Sequence, residues 1–376
     1  MSFTDKEGEA MVRNDKKNTW QTVLCLMATI ILLIGCGLQE PASTTTIVPL
    51  ANEPVTTFAS STVPSPESEQ PAITVSLADK IEALHTLGGH SNGVTGLVFL
   101  PDNVHLFSLS GDIVLSVWNA RNGTLIDTLT DPGDRVYNVA FSRDARHLAV
   151  GNYTRRAVGL LDAQNGQFIR KLKGNHGFIM RVVFSPNGSL LASGDDAGSI
   201  LIWNVESGEK VHTFNTNSTV GSLAFSPDGA LLASGNSEGN TDIKLWDLKS
   251  GQEFLTLSGH TGNVYNLVFT PDGTQLFSSS GDRTIKLWDV ESGQLVRTLI
   301  GHRNFVYGLA ISPDGKLLAS ASADGLIKLW EVETGLELCT LNSHSEYIYH
   351  IAFSPDGSLI ASGGEGDSII LWGIAH

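Results

Sequence analysis

Residues 259–293 read GHTGNVYNLVFTPDGTQLFSSSGDRTIKLWDVESG, and the chain repeats this stretch, well or badly, seven times. Val264, Leu267 and Phe269 lie in a short β-favouring run. Thr270-Pro271-Asp272-Gly273 then predicts a turn, with proline holding φ at the second place and glycine closing it. Leu276 to Ser279 reads as a second strand and Gly281-Asp282 as a tight turn. Thr284 to Trp288 alternates with the period of two that a pleated sheet imposes. Glu291-Ser292-Gly293 turns again, and Leu295 to Leu299 is a fourth strand. Four antiparallel strands in about forty residues make one small sheet.

Trp118, Leu161, Trp203, Trp246, Trp288, Trp330 and Trp372 are spaced 43, 42, 43, 42, 42 and 42 residues apart. A period near 42 with four strands per period predicts an all-β, seven-bladed propeller. Gly259-His260, the proline turn and Ile285-Lys286-Leu287-Trp288-Asp289 together resemble the WD-repeat family (GH … WD), over residues 82–376. In that family the strand after each Trp turn forms the outer edge of its blade. After Trp372 only four residues remain. Ile81-Glu82-Ala83-Leu84-His85-Thr86-Leu87 looks like Leu295–Leu299 before Gly301-His302, so the N-terminal strand is expected to complete the last blade and cover its open edge.

The domain boundaries follow: 1–35 a signal, 36–80 a linker, 81–376 the propeller. Arg13, Lys16 and Lys17 flank the apolar run Val23 to Ile34, which ends in Gly35-Cys36, a secretory pattern. Leu33-Ile34-Gly35-Cys36 resembles the bacterial lipobox, with Ile34 where Ala or Ser is commoner. That resemblance implies lipidation of Cys36 and an exported, membrane-anchored lipoprotein facing outside the cytoplasm. The alternative is an uncleaved single-pass anchor over residues 22–38, at the lower limit of bilayer-spanning length. Ten residues before Met11 are unusual for a signal, which makes Met11 a candidate start. Pro41, Pro49, Pro54, Pro64, Pro66 and Pro71 lie among Ser, Thr, Glu and Gln, a composition that buries no core. Such a coil reaches on the order of 35 Å.

The net charge of −15 and the absence of a Lys/Arg cluster exclude a nucleic-acid partner. Of the 3 Cys, Cys25 lies in the signal and Cys339 stands alone, so the fold relies on no disulfide. By resemblance, His260, Ser278, Asp282 and Trp288 form a buried structural tetrad, as do His90, Ser108, Asp112, Trp118 and His302, Ser320, Asp324, Trp330. Ser, His and Asp are also the residue types of a hydrolase triad. A set that recurs with a Trp around the ring is structural, and no catalytic residue is assigned. The histidines fall on separate blades, so they converge on no metal; no cofactor is expected. Three departures stand out. Repeat two has Pro132-Gly133-Asp134 for Gly-His and Leu161 for Trp, and is expected to be the least stable blade. Repeat four has Thr216-Asn217-Ser218 and an extended turn. In repeats three and seven the aspartates Asp196 and Asp367 are displaced, and packing is expected to outweigh the polar network there.

Function in the resembled family sits at the channel mouth. Two columns of the repeat fall there: Thr95, Tyr137, Met180, Gly221, Tyr265, Tyr307, Tyr349, and two places earlier Gly93, Arg135, Phe178, Thr219, Asn263, Phe305, Tyr347. Five of the 6 Tyr lie in these columns. Aromatic residues, Met and Arg anchor protein interfaces, so Tyr137, Phe178, Met180, Tyr265, Phe305, Tyr307, Tyr347 and Tyr349 form a candidate protein-binding face; the alternative is that they pack on one another and plug the channel. The expected function is a monomeric, non-catalytic protein-interaction scaffold that meets the membrane only through its lipid. A small-molecule-binding or enzymatic propeller using the channel is the alternative, and a purely structural envelope component a third class.

Overall fold

The proline turns close as their residues dictate. Gly273 N–H donates to the Thr270 carbonyl at 2.8 Å, and Gly273 takes φ +74°, which only glycine adopts without strain. The Thr270 hydroxyl donates to the Asp272 carboxylate at 2.6 Å and accepts the Gln275 N–H at 3.1 Å, which starts the next strand. Ser226/Asp228, Ser312/Asp314 and Ser354/Asp356 build the same turn. Local chemistry thus fixes where one strand ends and the next begins.

The computed structural model describes residues 70–375, apart from 112–113, 131–135, 153–155, 164–166, 238–239, 343 and 345 and the side chains of 129–130, 136–137 and 152. Cys36, the signal, most of the linker, Asp112, the Pro132–Asp134 run and Arg135 lie outside the described residues. Among those residues the strands form seven four-stranded antiparallel sheets. Each blade runs from an innermost strand (Val264–Phe269 in blade five) through Gln275–Ser280 and Thr284–Asp289 to an outer one (Leu295–Ile300). Blade seven takes its outer strand from the N-terminus: Ile81–Leu87 pairs antiparallel with Ile369–Ile374. The expected closure is the one observed.

Blades are held by apolar layers between them. Ile81 packs in the layer with Leu317, Ala319 and Leu329 of blade six, whereas Leu87 packs with Val94, Leu106 and Trp118 of blade one. Residues 81 and 87 would share a face in a regular strand. A register irregularity between Ala83 and His85 switches the parity, so one borrowed strand seals both sides of blade seven. Before it, the 3₁₀ turn Val75–Lys80 lies at the end of the ring that carries the proline turns, where Ile73 N–H donates to the Gly357 carbonyl at 2.9 Å.

Candidate functional site

Every innermost strand carries a bulge at the same place. The pairing register jumps between Val94 and Gly96, Val136 and Asn138, Ile179 and Arg181, Val220 and Ser222, Val264 and Asn266, Val306 and Gly308, and Ile348 and His350. The residue stepped over is in each case the first channel-mouth column: Thr95, Tyr137, Met180, Gly221, Tyr265, Tyr307 and Tyr349. A bulge leaves one residue unpaired and re-aims its side chain. The ring therefore presents one side chain per blade independently of the alternation that builds the core.

Blades five to seven use this position for aromatic rings. Tyr265 and Tyr307 lie with ring centroids 4.7 Å apart, and Tyr307 meets Tyr349 edge-on at 5.1 Å. Phe305 stands 6.3 Å from both Tyr265 and Tyr307. These spacings are those of packed aromatic pairs. Yet Phe305 and Tyr347 are 41% and 43% exposed, and Tyr347 makes no ring contact among the described residues. The tyrosines thus pack on one another, with two exposed rings beside them at the mouth. Burial, followed by the phenols Tyr265, Tyr349 and Tyr347 and by Glu365, pushes Tyr307 up to about 12. Burial and Glu365 raise Tyr349 as well, so both hydroxyls remain donors at neutral pH. Arg156 of blade two stands over the half-buried Phe178 ring of blade three at 5.3 Å, and Met180 lines the channel. Tyr137 occupies its strand position, its side chain outside the described part.

Below the mouth is a cavity of about 410 Å³ lined by Met180, Tyr265, Tyr307 and Tyr349 and also by Arg181, Asn266 and His350. Reading the two mouth columns suggests aromatics and small residues; these three polar side chains belong to the next column, immediately after the bulge. Their signal in the sequence was a polar residue opening a run that is otherwise apolar.

The tetrads lie away from the channel. Trp288 Nε1 donates to Ser278 Oγ at 2.8 Å, His260 Nε2 is 2.7 Å from the same oxygen, and His260 Nδ1 is 2.7 Å from Asp282 Oδ2. The carboxylate fixes the proton on Nδ1, so Nε2 accepts from the hydroxyl. His302, Ser320, Asp324 and Trp330 repeat the geometry, with Nδ1 2.9 Å from Asp324. Burial alone would raise Asp324, but the hydrogen bonds from His302 and Arg303 N–H hold it at about 2. In blade one, His90 and Trp118 both meet Ser108 Oγ. Ser108, Ser278 and Ser320 are fully buried and already receive an indole N–H, which leaves no approach for a substrate.

Two blades depart from the sequence reading in different ways. Blade three has a complete network, built with other residues than the displaced Asp196 on which the sequence reading rests. Asn175 replaces the imidazole, accepting from Ser193 Oγ at 3.0 Å and donating to Asp195 at 3.2 Å. The carboxylate is Asp195, at the strand end, whereas Asp196 accepts the Phe178 N–H. In blade seven, His344 and Trp372 meet Ser362, but Asp367 bonds Ser368 and does not reach the imidazole. Without a carboxylate, burial pushes His344 down to about 4. Burial and then Arg181 push His350 down to about 3. Both stay neutral in the folded chain while the unfolded chain takes up protons below the ordinary value of 6.5. Their contribution to stability is therefore complete above pH 6.5 and lost as pH falls toward 4 and then 3. The urea midpoint is expected to drop between pH 7 and pH 4.5, and His344→Gln should flatten that drop; a midpoint constant over this range would contradict the assignment.

Six stretches, residues 81–119, 166–204, 208–247, 251–289, 293–331 and 335–373, match the family described as "WD domain, G-beta repeat". The interval they leave holds most of blade two, where Leu161 replaces the Trp. Among relatives, the chain is 26% identical over 210 residues to a guanine nucleotide-binding protein subunit beta of Oryza sativa subsp. indica, covering 52% of this chain and 55% of that one. It is 34% identical over 79 residues to the small ribosomal subunit protein RACK1 of Brassica napus, covering 21% and 23%. It is 26% identical over 201 residues to protein FIZZY-RELATED 3 of Arabidopsis thaliana, covering 52% and 41%. The chain spans about half or less of the length of these relatives. The recurring blade, its Trp–Ser bond and the six matched stretches have one reading: this chain belongs to the WD-repeat family.

Proposed function

We propose that the chain is a non-catalytic protein-interaction scaffold, held on the outer side of a bacterial membrane by lipid on Cys36, with its partner docking over Phe305, Tyr307, Tyr347 and Tyr349. The observation that carries this reading is the bulge-presented aromatic cluster on blades five to seven. Large rings in fixed positions give contact area with little entropy to lose. Their mouth lies at the opposite end of the ring from Ile73 and Gly357, where the chain enters the propeller. A tether leaving there would hold the cluster facing away from its attachment. Two of the relatives are named as subunits of larger assemblies, which supports a binding role by analogy.

Crosslinking in the native host, with bound proteins identified by mass, tests the docking. Phe305→Ser with Tyr347→Ser removes two exposed rings at a cost to stability of about 1 kcal/mol or less. The prediction is loss of a specific crosslinked partner from this variant, and from the form also carrying Tyr307→Ala and Tyr349→Ala. Retention of the same partner by the double and quadruple variants would refute the docking surface. In the same cells, a labelled fatty acid should be incorporated into the chain and lost with Cys36→Ser; an unaltered chain that takes up no label but stays in the membrane fraction would favour the uncleaved anchor.

A further inference from the structure

Blade three shows how this ring treats an aromatic side chain at its mouth. Arg156 reaches over from blade two and seats its guanidinium 5.3 Å from the centre of the Phe178 ring, a cation–π contact. Tyr347 holds the matching place in blade seven. Glu365 N–H donates to the Tyr347 carbonyl at 2.8 Å, as Asp196 N–H does to the Phe178 carbonyl at 3.1 Å. Yet Tyr347 is 43% exposed, and among the described residues no cation stands over its ring. Its neighbours are acidic instead: Glu346 precedes it, Glu365 bonds its carbonyl, and both are exposed.

The fold does not call for a carboxylate at 365. Gly111, Ser237, Gly281 and Ala323 hold the same place in blades one, four, five and six, and each makes the same backbone bond. Blade three has Asp196 there, and that carboxylate accepts the Phe178 N–H at 2.7 Å. The Glu365 carboxylate makes no hydrogen bond or ion pair among the described residues. Its charge is felt by the rings. After burial, Glu365 and Glu346 help to raise Tyr349, and Glu365 helps to raise Tyr307. The cations stand on other blades. Residues 329–376 contain no Lys or Arg, and neither do residues 81–120. After burial, the charge that bears on His350 is Arg181, in the channel wall of blade three. Arg283 and Arg303 are exposed in loops of blades five and six and make no ion pair with either glutamate. On its blade-seven side the mouth is therefore aromatic and negative.

We propose that Tyr347, Glu346 and Glu365 form a seat for an arginine side chain of the docking partner, its guanidinium lying on the tyrosine ring and its N–H groups turned to the two carboxylates. A guanidinium has a planar face for the ring and five donors for the carboxylates, whereas an ammonium is a point charge with neither. The inference rests on docking over Phe305, Tyr307, Tyr347 and Tyr349 and names the chemistry that the partner brings. The seat lies beside the channel, because none of its three residues lines the cavity.

Saturation-transfer NMR titration of the full chain in neutral detergent at pH 7 tests it, with acetyl-Gly-Ala-Arg-Ala-Gly-amide as the probe. Companion peptides carry lysine, or the uncharged isostere citrulline, at the central position. The arginine peptide is expected to bind about tenfold more tightly than the citrulline peptide, with the lysine peptide between them. Glu346→Gln with Glu365→Gln should remove the preference for arginine. Tyr347→Ala should weaken the arginine peptide about threefold, and Tyr347→Phe, which keeps the ring, should leave its binding unchanged. All three side chains are exposed, so the thermal midpoint should stay where it is. Equal binding of the arginine and citrulline peptides, no binding of the arginine peptide, or an undiminished preference in the double glutamine variant would overturn the proposal. The two readings fail separately. A crosslink lost in Phe305→Ser with Tyr347→Ser, alongside equal binding of the two peptides, removes the arginine and keeps the docking surface. A crosslink retained there, alongside a preference that the glutamine variant loses, removes that docking and keeps the arginine seat.

Discussion

Leu87→Asp should leave the chain unable to hold a closed ring. Leu87 is 1% exposed and packs with Val94, Leu106, Trp118, Ile369 and Leu371, the apolar layer between blades seven and one. An aspartate there has no cationic partner in that layer and must be desolvated, at a cost of about 3–5 kcal/mol. That is a large part of the stability of an ordinary domain. Release of Ile81–Leu87 would also bare the edge of Ile369–Ile374, which can then pair with another molecule. The expected result is a collapse of the urea midpoint and association on size-exclusion chromatography. Thr86→Asp is the control: Thr86 sits on the same strand but is exposed, so the change should cost no more than about 0.5 kcal/mol. Equal stability of the two variants would show that the strand does not seal the blade.

Trp288→Ala should cost about 3–5 kcal/mol, as deletion of a large buried aromatic usually does. Trp288 is 1% exposed, fills the layer with Leu257, Val264 and Leu276, and donates to Ser278. Its ring edge rests 3.3 Å from where a Cβ on Gly259 would stand, and Gly259 has φ +150°. A side chain at that glycine would need both the backbone and the indole to move; at Gly89 the constraint is the backbone, φ +145°, and at Gly301 it is the Trp330 ring, 2.9 Å from where a Cβ would stand. Leu161→Ala, at the equivalent place in blade two, removes fewer atoms from a half-buried site and breaks no hydrogen bond. Its expected cost is about 1–2 kcal/mol. Urea unfolding of the two variants side by side checks the difference, and similar losses would mean that the indole contributes little beyond what a leucine does.

The architecture was readable because it is repetitive. Trp spacing, the Ser/Thr-Pro-Asp-Gly turns and the likeness of 81–87 to 295–299 each report one element that local chemistry fixes. The bulges were not readable. Thr95, Met180, Gly221 and Tyr265 share a position but no residue type, so no residue pattern marks the extra residue. A reading without the bulge stops at the residue stepped over and hides the one beyond it, so Arg181 and His350 went unread. Asp195 was missed for another reason. Counting back from Trp203 finds the turn aspartate, Asp196, while the bond to Asn175 comes from the end of the preceding strand. A spacing rule derived from His260 fails where an amide of different reach replaces the imidazole.

Amide hydrogen exchange across Ile81–Leu87 in the full-length protein tests the ring closure most directly. If the strand is the outer edge of blade seven, its amides paired with Ile369–Ile374 should be protected to the same degree as those of the outer strand Leu295–Ile300 in blade five. Exchange of 81–87 at the rate of an unstructured chain, with 295–300 protected, would contradict the closure and remove the fixed geometry on which the aromatic mouth and the channel both depend.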